Sequence, residues 1–190
     1  SLRLIPNLNV WRPCDTVEAL VAWESAVESE HTPSVIIGSR QNIAFTEREP
    51  ETVVAQAHEA LKQGAYVMLE SAKGKDHIDC VLIATGSEVP LAVKAREALQ
   101  AEGLGVRVVS MPCVDLFDRL DADQQKAILT EAPKVAIEAS ATGLWYKYVK
   151  CGTVIGIDTF GESAPASVLW EKFGFTVDHV VQAVHQLIQR

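Results

Sequence analysis

The chain has 190 residues, 48% of them hydrophobic and 22% charged, with a formal net charge of −8. That length holds one large domain, or one domain and part of another, and the composition can build real cores. The acidic balance, with basic residues scattered and no Lys/Arg run, argues against bulk electrostatic binding to nucleic acid or anionic membrane, and no apolar run approaches the ~20 residues of a membrane span.

The opening Ser1-Leu-Arg-Leu-Ile-Pro6 lacks the apolar core of a signal peptide and has no initiator methionine. It runs almost at once into Leu8-Asn-Val-Trp11, a short strand ended by Arg12-Pro13. The chain is therefore expected to begin inside a domain. Asp15 with Glu18 three residues later has the capping-box pattern of a helix start. Val17, Leu20, Val21 and Val27 then recur on one helical face up to about Glu30. Pro33 breaks the pattern, and Ser34-Val-Ile-Ile-Gly38 makes the next strand, parallel to the first with the helix as crossover. A lone βαβ unit of about forty residues buries too little surface to stand alone, so it reads as the remnant of a larger parallel-sheet domain.

Just beyond that second strand stands Ser39-Arg40-Gln41-Asn42. Open α/β sheets bind ligands beyond the carboxyl ends of their strands. An arginine there suits a phosphate or carboxylate, since its planar fork donates two parallel hydrogen bonds. Pairing with a neighbouring acid, or capping a helix C-terminus, fits Arg40 equally well.

The polar stretch Thr46-Glu-Arg-Glu-Pro-Glu51 marks a linker, followed by a modest helix from Thr52 to Gln63 that Gly64 ends. Five strands follow, at Tyr66–Leu69, Cys80–Ala84, Val106–Ser110, Val135–Glu138 and Val154–Ile157. The link between the first two is too short for a parallel crossover, which predicts an antiparallel hairpin. The other connections carry helices and predict parallel strands. A helix over Ser87–Glu102 aligns Val89, Ala92, Val93 and Leu99. A last helix, capped by Thr176, aligns Val177, Val180, Val181, Val184, Leu187 and Ile188. The fold class is α/β. The second unit is a three-layer αβα domain with a five-stranded mixed sheet, four strands parallel and one antiparallel.

Several other residues invite a functional reading. Ser87, in Thr85-Gly86-Ser87-Glu88, sits at a strand-to-helix turn where an anion can bind, but as a lone glycine motif it reads better as a plain N-cap. Asp115, Asp118, Asp121 and Asp123 lack the spacing of a calcium loop and read as a solvated acidic loop. Trp145-Tyr-Lys-Tyr148 fits a subunit interface. Ser163 lacks the G-x-S-x-G setting of a nucleophile and reads as an N-cap before Ala164-Pro165. His31, His58, His77, His179 and His185 form no ligand pair, so no metal is assigned. Cys14, Cys80, Cys113 and Cys151 are widely spaced, which argues for free thiols in a reducing compartment. No catalytic or cofactor-binding residue is assigned.

Trp11-Arg-Pro-Cys-Asp15, Ser39-Arg-Gln-Asn42, Ile83-Ala-Thr-Gly-Ser-Glu88, Val109-Ser-Met-Pro112, Trp145-Tyr-Lys-Tyr148, Thr159-Phe-Gly-Glu-Ser-Ala-Pro165 and Phe173-Gly-Phe-Thr-Val177 occur in one order. Together they resemble the C-terminal portion of transketolase, over essentially the whole chain. The resemblance implies that residues 1–45 are the tail of a domain binding the pyrimidine ring of thiamine diphosphate. Residues 46–64 would be a linker and 65–190 the family's C-terminal domain. It implies a parent enzyme that uses thiamine diphosphate and a divalent metal (Mg or Ca) to move a two-carbon ketol unit between sugar phosphates in the pentose phosphate pathway, as a cytoplasmic homodimer. Arg40 matches the family arginine that holds the sugar phosphate. The family's metal-binding Gly-Asp-Gly segment, its cofactor-activating glutamate and its active-site histidines have no counterpart here, which implies a chain that binds no cofactor and is inactive alone. The alternative is a stand-alone binding or regulatory module holding an anionic small molecule near Ser87 and Ser163.

Overall fold

The computed structural model describes residues 2–45 and 55–189. The stretch Thr46–Glu51 and the first residues of the helix expected from Thr52 lie outside them.

The first unit is built around two short strands, β1 (Asn9–Trp11) and β2 (Ser34–Ile36), paired parallel with Val10 opposite Val35. Helix α1 (Thr16–Glu28) crosses between them. Asp15 caps it, its carboxylate accepting from the Glu18 amide at 3.0 Å. The Glu18 carboxylate reaches back one residue further than a capping box requires, to the Cys14 amide at 2.7 Å. The predicted apolar stripe of α1 is divided. Val21 is buried and Val17 packs on the core, whereas Leu20 and Val27 are 68% and 81% exposed. With Trp23, they form an apolar face that no described residue covers.

After α2 (Ala55–Lys62), the larger sheet holds β3 (Tyr66–Leu69), β4 (Cys80–Ala84), β5 (Val106–Ser110), β6 (Lys134–Ile137) and β7 (Thr153–Ile155). Their order is β3-β5-β4-β6-β7, with β3 antiparallel to β5 and every other pairing parallel. The mixed five-stranded sheet is as expected, but the hairpin is not: β5 lies between β3 and β4. The burial patterns explain the order. All five residues of β4 are buried, as suits a strand with parallel partners on both sides. Strand β3 alternates buried and half-buried residues, as suits an edge. The segment 70–79 turns at Gly74 (φ +90°) and steps over one strand, two inter-strand spacings or about 9.6 Å.

Helices cover both faces. Helix α3 (Val89–Ala101) and α8 (Val177–Ile188) pack Leu91, Ala95, Leu99, Val180 and Val184 against Cys80, Leu82 and Ala84. The other face carries α4 (Val114–Phe117), α5 (Ala122–Leu129) and α6 (Tyr146–Val149) against Val81, Ile83 and Val109. The short α7 (Ala166–Lys172) precedes α8, which Thr176 caps by accepting from the His179 amide.

Two predicted caps are corrected. Ser87 lies inside a 3-10 turn, Gly86–Glu88, that delays the α-helix to Val89, and its hydroxyl donates to the Glu88 carboxylate at 2.5 Å. Ser163 is exposed, and α7 begins at Ala166 with Pro165 as its N-cap residue. A residue before proline is disfavoured in helical conformation, so Ala164 cannot open the helix that Ser163 would cap. The aromatic cluster is core rather than an exposed interface. Trp145 is fully buried and stacks edge-on with Tyr148, which meets Phe117 in the same way; Tyr146 is the exposed member.

Candidate functional site

Parallel pairing of β1 and β2 puts both carboxyl ends on one side of the first unit. The pairing continues one step past β2, where the Ile37 amide donates to the Trp11 carbonyl at 2.9 Å. Gly38-Ser39-Arg40-Gln41-Asn42 leaves from this point as an exposed loop. The Ser39 hydroxyl tightens it by donating to the Gln41 carbonyl at 2.6 Å. The Arg40 side chain is exposed and makes no ion pair or hydrogen bond with any described residue. Ser39 and Gln41, on either side of Arg40, line a cavity of about 380 Å³ together with Asp15, Thr16 and Phe45. A second cavity, about 280 Å³, lies where Gln41 and Asn42 face Ser87, Pro90, Ser167 and Trp170 of the larger unit.

The carboxyl ends of the two sheets meet at Arg12, which directly follows β1. Its guanidinium Nη1 lies 2.5 Å from Glu138 Oε1 and 3.1 Å from Glu88 Oε2. Glu138 follows β6 and Glu88 ends the 3-10 turn after β4, so one arginine bridges the ends of two central strands. Its main chain docks as well, the Arg12 amide donating to the Pro112 carbonyl at 2.8 Å and the Thr85 hydroxyl donating to the Arg12 carbonyl at 3.3 Å. Gly86 lies under the guanidinium, where a Cβ would come within 3.4 Å of Nη2. Glu138, 1% exposed, also accepts from Arg3 Nη1 at 2.8 and 3.0 Å, from Trp145 Nε1 at 2.7 Å and from the Ser140 hydroxyl at 3.0 Å.

The two carboxylates titrate in opposite directions. Burial pushes against the charged form of Glu138, but the guanidiniums of Arg3 and Arg12 outweigh it and hold the carboxyl below its usual range. At Glu88 burial prevails over the single arginine and pushes the carboxyl up. Burial also opposes the charge on Arg12, and the two carboxylates overcome it and raise the group.

Glu18 makes a second polar bridge between the units. Its fully buried carboxylate accepts from the Tyr66 hydroxyl at 2.9 Å and the Ser110 hydroxyl at 2.6 Å, besides the Cys14 amide. Burial raises this carboxyl despite those hydrogen bonds.

The remaining expected sites separate. Ser87 lines the second cavity beside Asn42 and Pro90, whereas Ser163 is exposed and outside it. The acidic loop is partly structural: Asp115 accepts from the Val10 amide, Asp118 from the Tyr148 hydroxyl, and Asp121 completes a capping box with Gln124. His58 pairs with Glu24, His185 with Glu102, and His179 with the Gly174 carbonyl. Among the described residues, no three His, Cys, Asp or Glu side chains come together as a metal site. No described helix is long and apolar enough to cross a membrane. Cys14, Cys80 and Cys113 are buried and Cys151 is exposed, and no disulfide joins them among the described residues. Arg12, Glu88 and Glu138 were not singled out by sequence reasoning, and Glu18 only as part of a capping box. The available signal was a carboxylate directly after an apolar strand, as in Lys134–Glu138.

Residues 64–176 match the family model described as the transketolase-like C-terminal domain, and residues 1–46 match the transketolase pyrimidine-binding domain. Transketolase 2 of Vibrio parahaemolyticus is 51% identical over 191 residues, covering 99% of this chain and 28% of its own length. Transketolase 1 of Escherichia coli is 48% identical over the same shares of the two sequences. The solved transketolase from Leishmania mexicana superposes with a TM-score of 0.86 at 42% identity, over 100% of this chain and 26% of that one. The chain thus spans little more than a quarter of the length of the curated relatives it matches.

Proposed function

We propose, from the premise that this chain belongs to the transketolase family, that it works as the C-terminal portion of a larger enzyme moving a two-carbon ketol unit between sugar phosphates. In this reading residues 1–45 end the pyrimidine-binding domain, residues 46–64 link, and residues 65–190 form the C-terminal domain. The rest of the subunit and a second subunit complete the enzyme, which acts in the pentose phosphate pathway of the cytoplasm.

The observation that carries the reading is Arg40. It stands exposed beyond the carboxyl end of a parallel strand, in the stretch matched by the pyrimidine-binding model, with no protein partner among the described residues. A free guanidinium there can take a phosphate with two parallel hydrogen bonds. Binding the phosphate end of a sugar places its distant reacting carbon, and that remote energy is realised in the transition state.

Thiamine diphosphate with its metal supplies the carbanion chemistry in this family. The donor set of this chain does not fit that group, because its clustered acids are committed to Val10, Tyr148 and Gln124 and no metal cluster forms among the described residues. In this reading the cofactor is held by parts of the enzyme outside this chain, and the chain alone is expected to be inactive.

The test is a chimera in which this chain replaces the corresponding quarter of the Escherichia coli relative. Arg40→Ala in that enzyme should lower kcat/KM for phosphorylated sugars roughly ten- to a hundredfold, and for unphosphorylated analogues far less. Equal losses for both would remove Arg40 from the phosphate role.

A further inference from the structure

Arg12 has no hydrogen bond or ion pair with the described residues of the Arg40 loop, yet it sets where that loop begins. The Ile37 amide is bonded to the carbonyl of Trp11, the residue before Arg12, and Arg40 follows three residues later. Trp11 is fully buried and Arg12 is fixed through both its main chain and its guanidinium to the ends of β4 and β6. The carboxylates it meets are 0% and 1% exposed, so its charge is neutralised within the protein rather than offered to a ligand. The contact path from Glu88 and Glu138 through Arg12 and Trp11 to Ile37 is continuous, and each link is a hydrogen bond, an ion pair or the chain itself.

We propose that Arg12 is a positioning residue for phosphate recognition: clamped by Glu88 and Glu138, it fixes the strand end from which the Arg40 loop departs. The inference rests on reading Arg40 as the phosphate ligand. It assigns to the larger domain, through Glu88 and Glu138, a share in substrate selection without a contact to substrate. A small displacement of a binding group is costly even when its cause is distant, and two residues acting through one contact give non-additive losses.

In the chimeric enzyme, Arg12→Met should lower kcat/KM for a phosphorylated sugar roughly tenfold, with kcat/KM for the unphosphorylated analogue within about twofold. Arg12→Lys should restore part of the loss, and Arg12→Met should add little to Arg40→Ala. An equal fall in kcat/KM for both substrates, or full additivity with Arg40→Ala, overturns the inference. If Arg40→Ala is itself not selective for phosphate, the reading of Arg40 fails and this one with it. If Arg40→Ala is selective and Arg12→Met is not, only the positioning role fails. Should Arg12→Met prevent assembly of the chimera, amide exchange in the 190-residue chain decides. The Ile37 amide should exchange faster in the variant while those of Leu82 and Val108 keep their protection. Unchanged Ile37 exchange, or loss of protection throughout the sheet, refutes the role.

Discussion

Replacing Glu138 with Gln removes one negative charge from a site where two guanidiniums and an indole converge. The side chain is 1% exposed and those of Arg3 and Arg12 are 13% and 18% exposed, so solvent screens little of the interaction. An amide has one acceptor atom where the carboxylate has two. With its oxygen toward Arg12, its nitrogen faces the Trp145 N–H; turned over, it faces Arg12 instead. At least one charged or indole donor is left without an acceptor in either orientation. Breaking a buried pair by removing one partner costs about 3–5 kcal/mol, a large share of the ~5–15 kcal/mol that holds a domain. With an m-value of about 2 kcal/mol/M, the urea midpoint should fall by roughly 1.5–2.5 M at pH 7, read by far-ultraviolet circular dichroism. The pH dependence gives the sign. A carboxyl depressed in the fold contributes stability that is present above its ordinary value, 4.5, and is lost as pH falls through the depressed one. The margin of the natural protein over Glu138→Gln should therefore shrink in acid. A loss below about 1 kcal/mol at pH 7, or a margin that grows in acid, would refute the reasoning.

Glu18 predicts the opposite trend. Its carboxyl is raised by burial, so its contribution is full below the ordinary value of 4.5 and is lost as pH rises through the raised one. Glu18→Gln, which can turn its amide nitrogen toward the Tyr66 and Ser110 hydroxyls, should gain on the natural protein in urea melts as pH rises from about 4 to 8; a gap moving the other way counts against it. Cys151 is exposed, whereas burial pushes the thiols of Cys80 and Cys113 up to about 12. An aromatic disulfide reagent should modify one thiol quickly in the folded chain and all four only in denaturant; a second fast thiol would contradict the packing. A calorimetric titration of the chain with thiamine diphosphate and magnesium should show no binding, and tight stoichiometric binding would end the reading of an incomplete enzyme.

The helices and strands of the larger domain were legible where one physical signal dominates. The i, i+3, i+4 stripe from Val177 to Ile188 became α8 with Val180 and Val184 fully buried, and the apolar run at Cys80 became a central strand. The partner of β3 was misread because a link too short for a parallel crossover was taken to require a direct hairpin, although it is long enough to pass over one strand, and β5 fills the place between. The misplaced cap at Ser163 ignored what Pro165 does to Ala164. Arg40 was visible because it follows its strand directly in sequence. The Arg12, Glu88 and Glu138 cluster was not, since its members come from three strand ends that only the tertiary fold brings together.

The clamp at Arg12 also has a consequence in time. Arg12 and Arg3 bond a residue that lies 126 and 135 positions later in the chain, and Glu18 bonds one 92 positions later. Contacts of such separation form late, because loop closure must precede them. At ~5–20 residues per second of synthesis, the 126 residues from Arg12 to Glu138 take roughly 6–25 s to emerge. Until Glu138 emerges, Arg3 lacks its partner and Arg12 the second of its two, whereas Glu18 meets Tyr66 and Ser110 earlier, 48 and 92 positions on. The larger domain must assemble its sheet before the earlier unit can settle, so of these two units the one made earlier folds into place later.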